Sequence, residues 1–385
     1  MKILYISSPS FLDVDLSYLH TISKKIEVVY LMDLAPNALK KTVLSIDKQI
    51  DKSEIISASE YIEMRQFKKF MNCSAYVINR TKGKFLSLET IRLYFKIKKF
   101  IKLQNPDVIH YNNTINLGIF ACLLNKYKKV ITVHDPIPHI GDKTFINNFI
   151  RKLNFLFIKK YIILNQNQKQ AFVDLIKCKY SAVYSSQLGV YSYYSKTAPI
   201  KKIDTKSEQL TILFFGRLTP YKGIDVLLNA FVEVRNKLNN AQLIIAGSGS
   251  FDFNLFDTTN VTLINRYVAA NELFKLINNC SFVVCPYIEA TQSGVIMTAF
   301  SMCKPVIATK VGGLSEMILH NQTGLLVEPN NKNELANAMI DLCINTEKCD
   351  EFSVAIQKKY FDDGQFGWNA ITNHLITIYK EVQAN

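Results

Sequence analysis

The sequence has no apolar run long enough to cross a bilayer. Its nearest candidate, INLGIFACLL at Ile115–Leu124, falls well short of the roughly 18 residues a spanning helix needs. It opens on MKILYISSPS, a strand pattern, without a basic segment leading into an apolar stretch and a small-residue cleavage site, so a cytoplasmic protein is expected. The eight cysteines are scattered, with no CxxC pair and mostly inside apolar runs. That spacing argues for buried free thiols and against a disulfide framework or a zinc site. Short internal repeats and low-complexity tracts are also missing. No helix-turn-helix, zinc knuckle or RNP-like aromatic motif accompanies the net charge of +14, so nucleic-acid binding would rest on charge alone. Carboxylate clusters suited to magnesium or manganese are absent near strand ends, and no metal or other cofactor is expected. A DxD fragment at Asp13–Asp15 reads as a surface loop feature after the first strand.

What is present is 385 residues, 48% hydrophobic, enough for two cores. The charge is uneven: residues 1–200 hold 30 Lys and Arg against 14 Asp and Glu, and residues 201–385 hold 16 against 18. An anionic partner should therefore meet the first half. Runs such as KILYIS, IEVVYL, DVIHY, KVITVHD and KKYIILN are short, β-branched and apolar on both faces, the mark of a parallel sheet covered by helices. The texture turns polar between Ala182 and Leu210, and then an α/β alternation restarts at LTILFFG. The reading is α/β throughout: a first domain over 1–195, a linker over 196–208, a second domain over 209–362, and a final helix over 363–385.

Open α/β sheets bind ligands beyond the carboxyl ends of their strands. In the second half those positions form a set. FFGRLTPYKG puts Gly216, Arg217 and Lys222 after one strand, and IIAGSGS ends another in Gly247 and small neighbours that let a ligand approach the backbone. CPYIEATQSGVIMTAF breaks from a strand into a polar elbow and then a helix starting at Ser293–Gly294. Two cations and a helix amino terminus together suit a diphosphate, since free N–H groups and the positive dipole end point at the anion. GSGS lacks the third glycine of GxGxxG, which weakens a dinucleotide reading.

ILFFGRLTPYKGIDVLLNAF, LIIAGSGS, ELFKLINNCSFVVCPY, KPVIATKVGGLSEMI and TGLLVEPNN, in this order, resemble the nucleotide-sugar-binding half of retaining glycosyltransferases of the GT-B fold, family 4. The resemblance is dense from Leu210 to about Leu342 and looser in the first half, through KILYIS, NPDVIHYNN and VITVHDPIPH. It implies two Rossmann-like domains across a cleft, with residues 1–195 binding the acceptor, residues 209–362 binding the nucleotide sugar and the helix over 363–385 crossing back to the first domain, and it implies hexosyl transfer from a nucleotide diphosphate sugar, with Asp13–Asp15 near the acceptor. Arg217 and Lys222 match the pair on the diphosphate, and Asn265–Val268, with Arg266 and Tyr267, match the segment against the base. His134 matches a histidine near the sugar, expected to hydrogen bond rather than to move protons, with Ser8 and Asp135 on the acceptor side. Gln292, Ser293, Gly294 and Val295 are expected to hold sugar and phosphate. The family commonly carries two glutamates eight positions apart, and here Ala290 and Thr298 stand at those places, with Glu289 one residue out of register as an alternative carboxylate. A threonine exchanges one hydrogen bond with a ribose where a carboxylate grips two hydroxyls.

The basic segments RLYFKIKKFIKLQN and FIRKLNFLFIKKY interleave cations with apolar residues. They fit either an anionic bilayer surface or stripes buried in the domain core. A lipid-linked saccharide acceptor for surface polysaccharide assembly, used at the inner face of the plasma membrane, is the expectation. The rival readings are a nucleotide-sugar 2-epimerase of similar architecture, a catalytically dead nucleotide-sugar binder, and a nucleic-acid-binding protein.

Overall fold

The computed structural model describes residues 1–41, 43–81, 87–113, 124–137, 145–197 and 210–384. Contacts divide the chain into two compact units, Met1–Gln187 with Trp368–Asn385, and Leu188–Gly367.

The first unit holds β1 (Lys2–Ser7), β2 (Glu27–Leu34), a small hairpin of β3 (Lys40–Lys41) and β4 (Leu44–Ser45), then β5 (Glu54–Ser57), β6 (Ser74–Asn79), β7 (Val108–Asn112), β8 (Lys128–Val133), β9 (Tyr161–Ile163) and β10 (Val183–Ser185). Eight of these form one sheet in the order β10-β9-β8-β7-β1-β2-β6-β5. All pairs are parallel except β5 with β6. Burial explains the pairing. Ile3, Leu4, Tyr5 and Ile6 of β1 are all buried although successive side chains point to opposite faces, so both faces must be covered by helices.

The helix Trp368–Ala384 belongs to this unit although it ends the chain. Ile371, Leu375, Ile378, Tyr379 and Val382 are buried at helical spacing, which makes one face of it core. Each such side chain contributes about 1.5–3 kcal/mol when fully buried.

The second unit holds β11 (Leu210–Phe215), β12 (Ala241–Gly247), β13 (Val261–Asn265), β14 (Phe282–Cys285), β15 (Val306–Thr309) and β16 (Gly324–Val327). They form an all-parallel sheet ordered β13-β12-β11-β14-β15-β16.

Three expectations shift. The units part between Gln187 and Leu188 and not at residue 195, because Tyr194 packs its ring on Phe274 at 4.9 Å and Tyr191 lies against Gly294. Most of the expected linker, from residue 198 on, lies outside the described residues, and its first two residues end the short helix Ser192–Thr197. Asp13–Asp15 is not a surface loop: both carboxylates are buried on the helix Leu12–Ile22, where tyrosines from β1 and β2 donate to Asp15. The seven described cysteines are free.

Candidate functional site

In the second unit the strand order reverses between β11 and β14, the switch point at which open α/β sheets receive ligands. The loops after these two strands are stitched together. Gly223 has φ +65°, and a Cβ there would fall 2.0 Å from the carbonyl oxygen of Pro286, so only glycine lets the first loop lie on the second. Ile288 N donates to Tyr221 O at 2.9 Å across the same seam. The loop after β12 joins them: a Cβ on Gly247 would overlap the carbonyl oxygen of Gly216 at 1.7 Å.

Both cations lie against this seam. Arg217 Nη2 donates to the hydroxyl of Tyr221 at 2.8 Å. Lys222 Nζ stands 3.5 Å from the ring centre of Tyr287 and 5.1 Å from that of Tyr221, so Arg217 and Lys222 flank one tyrosine. The hydroxyl of Tyr287 is 3.4 Å from Ser293 Oγ, which caps the helix Gly294–Ser301 by accepting from Ile296 N at 3.4 Å. Gly216 faces Val295, whose Cγ2 would be 3.5 Å from an added Cβ, and Gly294 packs on the Tyr191 hydroxyl. Gly216, Arg217, Lys222, Gly247, Ser293, Gly294 and Val295 are thus gathered at the switch point, with Glu289 and Gln292 half-buried on the elbow between them.

Other expected residues sit apart. Arg266 and Tyr267 follow β13, the edge strand, and Arg266 makes a two-pronged ion pair with Glu272 at 2.8 and 2.6 Å. Thr298 is one turn inside the helix, buried, with its hydroxyl donating to Gly294 O at 2.8 Å.

The first unit has its own reversal, between β1 and β7. Ser8 follows β1 and starts the turn Pro9–Phe11, Asn112 ends β7, and His134 follows β8. His134 Nε2 is 2.7 Å from Asn112 Oδ1, and its ring stacks on Phe11 with centres 4.3 Å apart. Burial lowers its pKa to about 4, with Asp135 pulling the other way, so the ring is neutral at pH 7. The half-buried Asp135 lies in a loop clasped by Arg151, whose Nη1 donates to Asp135 O at 2.8 Å and whose Nη2 donates to Pro136 O. His139, the last residue of VITVHDPIPH, lies outside the described residues. No group of three or more His, Cys, Asp or Glu side chains among the described residues is placed to hold a metal ion.

Sequence reasoning missed Tyr221, Tyr287, Asn112 and Arg151. The aromatic neighbours in PYKG and CPY were a usable signal for the tyrosines, whereas Asn112 and Arg151 meet their partners only through the fold.

Family models match both halves: "Glycosyl transferase 4-like" over residues 15–166 and "Glycosyl transferases group 1" over residues 209–345. The uncharacterized glycosyltransferase MJ1607 of Methanocaldococcus jannaschii is 28% identical over 214 residues, and the match spans about half of each protein, 54%. A second one from that organism, MJ1178, is 26% identical over 310 residues, covering 78% of this chain and 82% of the relative. Among solved structures, Anabaena HepE in complex with UDP superposes with a TM-score of 0.67 at 17% identity, over 99% of this chain and 100% of that one. With both halves matched and each unit built on its own mostly parallel sheet, the chain belongs to the group 1, family-4-like glycosyltransferases and has their GT-B fold.

Proposed function

We propose that the protein transfers a hexosyl group, with retention at the anomeric carbon, from a nucleotide diphosphate sugar to a lipid-linked saccharide. The observation that carries this reading is the convergence of Arg217, Lys222 and the capped start of Gly294–Ser301 at one switch point. That arrangement suits a diphosphate leaving group: two cations and a row of backbone N–H groups meet the charge that grows as the glycosidic bond breaks. Leaving-group stabilisation by these groups supplies most of the catalysis, and transfer is expected to survive EDTA. HepE, of the same fold, was crystallised with UDP, which supports a nucleotide diphosphate as the ligand class. The released diphosphate takes the acceptor proton, while neutral His134 hydrogen bonds a substrate hydroxyl.

The lipid-linked acceptor is supported by the helix Leu88–Gln104. Its buried face, with Leu93, Tyr94, Ile97 and Ile101, is core, whereas Leu88, Phe95 and Leu103 are 77%, 63% and 74% exposed among Arg92, Lys96, Lys99 and Lys102. Glu89 is turned away onto Ser53 and Thr81. An exposed face of cations and large apolar side chains suits an anionic bilayer surface, while no helix among the described residues is long and apolar enough to cross one. In the other basic segment Arg151 is spent on the Asp135 loop.

A thermal-shift screen against UDP, GDP and their sugars tests the donor. A ligand at about 100 times its Kd should stabilise by about 2.7 kcal/mol. No shift with any nucleotide would refute the reading. Flotation with anionic liposomes, lost in a Phe95→Glu, Leu103→Glu variant, tests the surface, and flotation indifferent to anionic lipid would count against it.

A further inference from the structure

The second unit has three arginines, and two of them are neutralised. Arg235 grips Asp257 with both Nη groups, and Arg266 grips Glu272 in the same two-pronged way. Arg217, exposed at the switch point, makes no ion pair among the described residues. Its side chain is held instead by a neutral group, the hydroxyl of Tyr221, which accepts from Nη2 at 2.8 Å while the guanidinium carbon stands 5.9 Å from the ring centre. Tyr221 is a fixed post. Pro220 before it has a constrained φ, Gly223 N donates to Pro220 O at 3.1 Å to close the turn Pro220–Lys222, and Tyr221 O accepts from Ile288 N at 2.9 Å on the facing elbow.

An exposed arginine samples many rotamers, so a ligand that captures it must also order it. A carboxylate partner would hold the side chain still, but it would cancel the charge and compete with an incoming anion. A phenolic hydroxyl holds it and leaves the charge uncancelled, and a guanidinium with five N–H donors that spends one on the hydroxyl keeps the rest of its fork for a ligand. We propose that Tyr221 is a positioning residue that acts through Arg217, holding the guanidinium ready for the diphosphate of the donor. Lys222 has a separate support in the ring of Tyr287, 3.5 Å away, so each cation of the site is set by its own tyrosine.

The inference rests on the diphosphate reading of this site, and a double-mutant cycle separates the two. Inorganic pyrophosphate, UDP and GDP are titrated by calorimetry into the wild type, Tyr221→Phe, Arg217→Ala and the double variant. Tyr221→Phe keeps the ring, so the protein should unfold at the wild-type midpoint. Pyrophosphate and whichever nucleotide binds should nevertheless lose about 2- to 10-fold in affinity, the range of one ordinary hydrogen bond. In the Arg217→Ala background the same change should cost nothing further, since residues that act through one another are not additive. In a Lys222→Ala background it should keep its full factor. Unchanged affinity in Tyr221→Phe would overturn the proposal, and so would an equal loss with and without Arg217, the result expected of a merely structural role. A wild type that binds pyrophosphate but neither nucleotide would remove the nucleotide-sugar reading, and the pyrophosphate cycle would still decide for or against Tyr221. A wild type that binds none of the three would remove both.

Discussion

Lys222 holds its ammonium 3.5 Å from the ring centre of Tyr287, and the hydroxyl of that ring reaches the serine capping the next helix. A cation parked on an aromatic face keeps its charge available to an anion while its position is fixed. Lys222→Ala and Arg217→Ala should each weaken nucleotide diphosphate binding by about 10- to 150-fold, the equivalent of a charge-assisted contact of about 1.5–3 kcal/mol. Tyr287→Leu should cost about 2- to 30-fold through the lost ring, and Tyr287→Phe less. Titration calorimetry with UDP or GDP decides, and equal affinity in wild type and Lys222→Ala would remove the lysine from the site.

Gly223 joins the two loops that carry this site. Its φ of +65° and the Pro286 carbonyl 2.0 Å from any added Cβ leave no room for a side chain. Gly223→Ala should destabilise the protein by about 2 kcal/mol or more, since a strained backbone position alone costs about 1–3 kcal/mol. It should also weaken donor binding, because Lys222 is the preceding residue. Urea unfolding followed by circular dichroism, together with donor titration, would show both losses, and a wild-type midpoint would contradict the packing described.

Much of this was legible from sequence because each strand of the second sheet is a short apolar run with a turn after it, and ligands gather where such strands end. Arg217, Lys222 and the Ser293 helix start are therefore readable in order along the chain. The first unit hid more. EIIS and SAYVIN, which form β5 and β6, are short and partly exposed, too weak a pattern to stand out. Asp13 and Asp15 look like solvated charges, since what makes burial of Asp15 tolerable is a set of donors from Tyr5, Tyr30 and Asn112 that only the folded sheet assembles. Thr298 shows the opposite case, a polar residue at a promising position whose hydroxyl folds back onto its own helix.

The closing helix should depend on one hydroxyl. Tyr379 OH lies 2.8 Å from Tyr18 OH and 2.6 Å from His110 Nδ1, and His110 Nε2 lies 2.7 Å from Thr132 Oγ1, so a buried chain of hydrogen bonds ties the helix to the sheet. Tyr379→Phe keeps the ring and strands those partners, which should cost about 1–3 kcal/mol. The single tryptophan, Trp368, starts this helix with its ring 6.4 Å from Tyr18, so its fluorescence reports the loss directly. An unshifted unfolding midpoint would mean the hydroxyl chain contributes nothing.

Acid should act on the first unit through opposing groups. Burial lowers the imidazole of His110 to about 3 and that of His134 to about 4, against an ordinary value of about 6.5 in the unfolded chain. The stability they contribute is present above about pH 6.5 and is lost as pH falls toward 4 and then 3, because the unfolded chain binds the protons first. Burial raises Asp15 to about 7 against the pull of its donors, so below the ordinary carboxylate value of 3.8 its contribution is complete, and it is lost as pH rises through 7. Between about pH 6.5 and 4 the two slopes oppose each other. Asp15→Asn deletes the carboxyl slope and leaves that of the histidines, so the loss of stability on acidification should be steeper in the variant than in the wild type. Urea midpoints read from Trp368 fluorescence at intervals from about pH 8 to 4 would show this, and parallel profiles for the two proteins would mean that Asp15 does not titrate in that range.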